Sequence, residues 1–237
     1  MSEIIFPKGG PLMRPVIVFD LNGTLLDLSA LDPYFLRTFG DTEARREWFT
    51  ELLQSAMLAT ITGSFVDFPT LGKNALDMLA GRRDVMLGSE EKIELLQNLR
   101  LLPAFHDVAP ALQRLRANDC RLAVLTNSRF QAAEEALRKA GLRDFFARVL
   151  SAEITQRYKP AAEVYRMAAE ELQVEPASLL LVAAHSWDTT GAIRAGCEAA
   201  FVQRPGQVLD PLAPRPRFVV PDLGDLAGRV IEMEQAA

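Results

Sequence analysis

Val16-Ile17-Val18-Phe19-Asp20-Leu21-Asn22-Gly23 is the stretch from which the rest of the chain can be read. Four apolar residues end in a carboxylate and a turn signal at Asn22-Gly23, which predicts a buried strand running into a polar loop. The next strand-like run comes a hundred residues later, and between the two the pattern is helical over about 29–101. Asp32 and Pro33 read as cap and first-turn residues of a helix at about 34–39, with Gly40 as its stop. Further helices are predicted at about 42–61, 68–79 and 90–99, with Gly63 and Gly81 beyond the first two and Ser89 ahead of the third.

Beyond Pro103 the pattern alternates. Helices are predicted at about 108–117, 130–140, 161–172 and 189–195, and strands at about 121–125, 148–150, 179–183 and 199–202. Short apolar strands separated by single helices imply a parallel sheet covered on both faces, because parallel strands need crossover connections. The expected fold class is α/β: a core of 1–28 and 102–237 interrupted by an all-helical, four-helix insertion at 29–101. Pro205 to Pro221 holds five prolines and reads as a surface loop.

Composition narrows the function. Among 237 residues, 26 Lys and Arg stand against 31 Asp and Glu, a formal charge of −5 and the wrong sign for gathering phosphate backbones, so nucleic acid is not expected as a partner. The longest apolar run, Leu179 to Ala184, is far short of the ~20 residues of a membrane span, so no membrane association is expected. Met1 to Arg14 lacks the basic and apolar segments of an export signal, and two cysteines, Cys120 and Cys197, are too few for a disulfide scaffold. A cytoplasmic setting is expected.

In a parallel α/β sheet, ligands bind beyond the carboxyl ends of the strands. The polar residues there are Asp20, Asn22 and Thr24; Thr126, Asn127 and Ser128; and His185, Ser186, Trp187 and Asp188. Singly, each has a plain structural role: Asp20 as a turn former, Asp188 as an N-cap for a helix from Thr189, Lys159 as a solvated lysine held out of a helix by Pro160, and His106 as structural beside a capping Asp107. Asp20, Thr126-Asn127, Lys159 and Asp188 together form an ordered set: Asp after strand one, Thr-Asn after strand two, Lys before a helix, Asp after the next strand.

That set, Val18-Phe19-Asp20-Leu21-Asn22-Gly23-Thr24-Leu25-Leu26-Asp27, Leu125-Thr126-Asn127-Ser128, Tyr158-Lys159-Pro160 and Trp187-Asp188-Thr189-Thr190-Gly191-Ala192, resembles the four motifs of the haloacid dehalogenase superfamily. With Ser64-Phe65-Val66-Asp67-Phe68 in the insertion, the chain is similar to the type II 2-haloacid dehalogenase branch. The resemblance implies a Rossmann-like three-layer core with a helical cap, and a small anionic carboxylate as substrate. It casts Asp20 as nucleophile at the α-carbon, Thr24 as its support and Lys159 as the positive charge. The amides of Leu21 and Asn22 and the side chains of Thr126 and Asn127 would hold the substrate carboxylate. Tyr165 would hydrogen-bond within the site and Asp188 would activate the hydrolytic water. A homodimer formed partly through the cap is also implied.

Departures from the pattern sharpen the expectation. Asn22 stands where superfamily phosphatases carry a proton-donating aspartate, and Ala183-Ala184 replaces a Gly-Asp pair of their magnesium site. A metal-independent reaction without cofactor is therefore expected, with Mg²⁺ held by Asp20 and Asp188 only under the alternative of a phosphatase. Phe49 stands where the dehalogenases have an arginine that grips the departing halide. His185, replacing an asparagine, has two open roles, stabilising a leaving anion or orienting water. Trp187 offers an indole N–H to the same pocket, while Phe49, Leu53 and Phe68 supply apolar walls. A related alternative is opening of a strained C–N ring in a small cyclic amino acid.

Overall fold

The computed structural model of the protein describes residues 16–235, so the reading of Met1 to Arg14 falls outside the described residues. Six strands run parallel in one sheet: β1 (Val16–Phe19), β2 (Arg121–Thr126), β3 (Arg148–Ser151), β4 (Leu179–Ala183), β5 (Glu198–Val202) and β6 (Phe218–Val220). Their order is β3-β2-β1-β4-β5-β6. The chain moves outward from β1 through β2 to β3, then returns to lay β4 on the other side of β1, so the order reverses between β1 and β4. That switch point opens a crevice at the strands' carboxyl ends, and it is where Asp20 and His185 emerge. All four residues of β1 are fully buried, as expected of a central strand covered on both faces.

Between β1 and β2 lie α1 (Asp32–Phe39), α2 (Glu43–Thr62), α3 (Phe68–Arg82) and α4 (Ser89–Asn98). They pack on one another around Trp48, whose indole donates to the Gly72 carbonyl at 2.9 Å, and around Phe35, Leu52 and Leu76. Asp67 caps α3 by accepting from the Thr70 amide, and Gly40 and Gly63 close α1 and α2 in the left-handed conformation. The remaining helices are α5 (Val108–Ala117), α6 (Phe130–Lys139), α7 (Ala162–Glu171), α8 (Ser186–Arg194) and α9 (Leu223–Gln235). Among the described residues no helix is long and apolar enough to cross a membrane.

The structure departs from the sequence reading at several places, among them Asp32 and Gly81, which lie inside α1 and α3 rather than beyond their ends. The 205–221 segment is not loop throughout: Phe218–Val220 pairs with β5 as an edge strand, a place that tolerates its flanking Pro216 and Pro221. α9 was not anticipated, although Leu223, Leu226, Ala227 and Val230 carry helical spacing and bury one face. Asp107 begins α5 without capping it, because its carboxylate is taken by Arg204 at 2.8 and 3.0 Å and by the Leu223 amide at 2.8 Å. Neither is Asp188 an N-cap. α8 starts at Ser186, and the Asp188 side chain turns inward.

Candidate active site

Asp20 follows β1 directly and is held level with β4 by its amide, which donates to the Val182 carbonyl at 2.9 Å. Its two carboxylate oxygens have different partners. Lys159 Nζ donates to Oδ1 at 2.8 Å, while Oδ2 accepts from Thr24 Oγ1 at 2.7 Å and faces His185 Nδ1 at 3.3 Å. Thr24 is itself fixed, since its hydroxyl oxygen accepts from the Ala184 amide at 3.0 Å. The turn between them needs Gly23: its φ is +81°, and a β-carbon there would stand 3.0–3.1 Å from the His185 ring.

Lys159 is 1% exposed, and its ammonium bridges Asp20 and Asp188 Oδ2 (2.5 Å), with a third bond to the Leu125 carbonyl at 3.0 Å. All three donors of the ammonium are therefore used. Asn127 sets its position, accepting from the Lys159 amide at 2.8 Å and donating to the Lys159 carbonyl at 3.3 Å. Burial alone pushes the Asp20 carboxyl up, but Lys159 and the His185 ring outweigh it and hold Asp20 well below the usual carboxylate range. For Asp188 burial prevails over the pull of Lys159 and is reinforced by the charge of Asp20, so its carboxyl is raised. Burial lowers Lys159, yet the two carboxylates overcome that and raise it. The pair thus holds one strongly acidic and one more basic carboxylate on a single ammonium.

A cavity of about 270 Å³ opens over this centre. Its floor is Asp20, Asn22, Thr126, Asn127 and Lys159, its roof is Phe49, Leu53 and Phe68 from α2 and α3, and His185 and Trp187 form one side. The His185 ring lies between Phe49 (centroids 5.8 Å apart) and Trp187 (5.2 Å, nearly parallel). Its Nε2 has no hydrogen-bond partner among the described residues. Thr24, Tyr165 and Asp188 do not touch the cavity. They stand behind it, Tyr165 donating to Asp188 Oδ1 at 2.6 Å. Gly191 lets α8 come this close to α7: a β-carbon there would meet Pro160 and the Tyr165 hydroxyl at 2.6 Å. Leu21 faces a neighbouring cavity instead.

Three contributors had no role assigned from sequence. Ser128 lines the cavity and accepts from Asn22 Nδ2 at 3.0 Å. Tyr158 ties the inserted helices to the centre, with its hydroxyl on the Val66 carbonyl (2.6 Å) and its amide on Thr60 Oγ1 (2.9 Å). Arg204, just past β5, is buried and donates to the Thr24 carbonyl at 3.0 Å while paired with Asp107. Ser128 and Tyr158 lie inside the quoted motifs, whereas nothing near Arg204 in sequence marks it. Among the described residues no group of three or more His, Cys, Asp or Glu is arranged to hold a metal ion.

A Rossmann-like parallel core with an ion-paired aspartate at the switch point, roofed by an inserted helical cap, defines a capped hydrolase of the aspartate-nucleophile kind. The family model described as haloacid dehalogenase-like hydrolase matches residues 15–196, and the chain belongs to that family. It is similar to (S)-2-haloacid dehalogenase 2 of Pseudomonas sp. (strain CBS-3), 28% identical over 212 residues, 89% of this chain and 93% of that protein. The L-2-haloacid dehalogenase of Xanthobacter autotrophicus superposes with a TM-score of 0.87 at 27% identity, covering 93% of this chain and all of the other. Its structure with chloropropionic acid covalently bound matches equally well, with a TM-score of 0.87 at 26% identity.

Proposed function

We propose that the protein is a metal-independent 2-haloacid dehalogenase, converting a 2-haloacid to the 2-hydroxyacid through an ester on Asp20. The reading rests chiefly on one observation: a buried carboxylate, kept anionic by Lys159, forms part of the floor of a small cavity. Its support from relatives is the related structure that carries chloropropionic acid covalently. In this reading residues 29–101 are the cap domain and 1–28 with 102–237 the core, and the protein works as a cytoplasmic homodimer.

In the first step an Asp20 oxygen attacks the α-carbon, the carbon–halogen bond breaks, and the halide leaves with its electron pair. The substrate carboxylate is held by the Asn22 amide with Thr126 and Ser128, all of which line the cavity. Asn127 also fixes the Lys159 backbone through its Oδ1 and one N–H, which leaves its second amide N–H for the substrate carboxylate. In-line displacement puts the leaving atom on the far side of the α-carbon from Asp20, toward the cap. His185 touches the attacking carboxylate, so of its two open roles it orients nucleophile and water rather than receiving the halide. The halide meets Phe49, Phe68 and Trp187, where ring edges and an indole N–H carry positive partial charge.

In the second step water adds to Asp20 Cγ, and the bond from Cγ to the substrate oxygen breaks to release the 2-hydroxyacid. Esterification has by then removed the charge of Asp20, leaving Lys159 with one anionic partner. Lys159 passes one ammonium proton to Asp188, whose burial makes it the more basic carboxylate, and as the amine takes a proton from the attacking water. The remaining water proton goes to the departing substrate oxygen, and Asp188 returns its proton to solvent when Asp20 is again a carboxylate. Asp188→Asn is expected to stop here, releasing one equivalent of halide and leaving the substrate acyl fragment on the protein as a mass increase.

The deciding experiment is halide release from fluoroacetate, chloroacetate and each enantiomer of 2-chloropropionate, with and without EDTA. Release unaffected by EDTA is expected. A second reading, opening of a strained C–N ring, draws on Phe49, which leaves the roof without a cation for a halide; it predicts no release here and turnover of a cyclic amino acid. Magnesium-dependent cleavage of p-nitrophenyl phosphate would instead revive the phosphatase alternative.

A further inference from the structure

A second, larger cavity of about 660 Å³ abuts the first. Asn22, Phe49, Phe68 and Ser128 line both, so a single layer of side chains separates them. Beyond that layer the walls are mostly apolar, with Trp48 and Leu52 from α2, Leu96 from α4, and Ala132 and Ala136 from α6, while the guanidinium-bearing Arg100 and Arg129 also line it. Gly72 adds to the space, since even a β-carbon there would only reach ordinary contact with Leu96 and Trp48, at 3.7 and 3.8 Å. No titratable group of the mechanism faces this cavity.

We infer that this second cavity is a binding site for the hydrocarbon tail of the substrate, which makes the preferred acid a longer-chain 2-haloalkanoate rather than a haloacetate. The inference rests on the dehalogenase reading above and deepens it. A carboxylate held between Asn22 and Ser128 places the α-carbon over Asp20, and the α-substituent lies against the Phe49–Phe68 layer. Displacing those two rings sideways lets a methylene chain pass into a compartment lined mostly by apolar surface, where each buried CH₂ is favourable.

The test compares 2-bromopropanoate with 2-bromobutanoate, 2-bromohexanoate and 2-bromooctanoate, together with calorimetric binding of the unhalogenated acids propanoate and octanoate. Wild-type kcat/KM is expected to rise at least about tenfold from the three-carbon to the eight-carbon bromo acids, since two or more extra buried methylenes suffice for that factor. Ala132→Phe fills the cavity from the core and Gly72→Leu from the cap. Each is expected to remove the chain-length gain while keeping turnover of 2-bromopropanoate within about twofold, the tenfold gain being the term lost. Flat or falling kcat/KM with chain length in the wild type overturns the inference, as does an equal loss on all substrates in both variants with folding intact by circular dichroism. If no haloacid is turned over, the dehalogenase reading fails by itself. Octanoate then decides the cavity: tighter binding than propanoate, lost in Ala132→Phe, upholds it, and equal binding of the two acids overturns it.

Discussion

Asp20→Asn is expected to abolish multiple-turnover halide release, by about 10⁴-fold or more, because no other group on the cavity floor can form the ester. The remaining candidates fail on geometry. Asp188 stands outside the cavity behind Lys159, and Thr24 and Tyr165 are committed to the two carboxylates. Asn at this position keeps the contacts to Thr24 and fills the same volume, so the fold should persist and the loss should lie in kcat. Mass spectrometry must accompany the assay, since deamidation restores the aspartate. Full turnover by a protein whose mass shows intact asparagine would remove Asp20 from the chemistry and with it the ester mechanism.

Lys159→Met should have the second largest effect, and on stability as well as rate. Removing one partner of a buried ion pair costs about 3–5 kcal/mol, and here a single ammonium serves two carboxylates. Without it, burial goes largely unopposed and raises both carboxyls in the folded protein. A carboxyl raised on folding is destabilising above its folded pKa and neutral below its unfolded one. The deficit relative to wild type should therefore be greatest near neutral pH and shrink as pH falls toward the ordinary carboxylate range. The wild type behaves oppositely at Asp20: its lowered carboxyl adds stability above the ordinary carboxylate value, and loses it as pH falls through the lower folded value. Ester formation needs the anion, so the acid limb of the first-step rate should move to higher pH in the variant. Thermal melts at several pH values and single-turnover halide release measure both. An unchanged acid limb would mean that His185 and Thr24, not Lys159, keep Asp20 charged.

The two predictions concern residues 139 positions apart in sequence, and their proximity illustrates what could be read in advance. The strand at Val16–Phe19, the alternation after Pro103 and the helical stretch between them follow from local apolar spacing, and the structure reproduces them with boundaries shifted by a few residues. The motif order named Asp20, Thr126-Asn127, Lys159 and Asp188 as one set before any contact was known. What local patterning failed to reach were β6 and α9, the first because three residues among prolines give almost no periodic signal. The roles of Asp107 and Arg204 were equally hidden: each looks like an ordinary turn or surface residue until a partner about a hundred positions away is brought to it.

By itself the sequence determined the class of fold, the insertion of helices between the first two strands, the family and the members of the charged set. These rest on short-range regularities, the period of burial and the identity of residues at strand ends, which need no knowledge of distance. Only the tertiary structure decided the rest. It placed one ammonium between two carboxylates and so made one more acidic and the other more basic. It turned Asn127 toward the lysine backbone and set His185 on the side of the nucleophile. It also left a second apolar space beside the first. Desolvation, charge coupling and cavity shape depend on which groups meet across the fold, and the sheet order that brings β1 between β2 and β4 is what makes them meet.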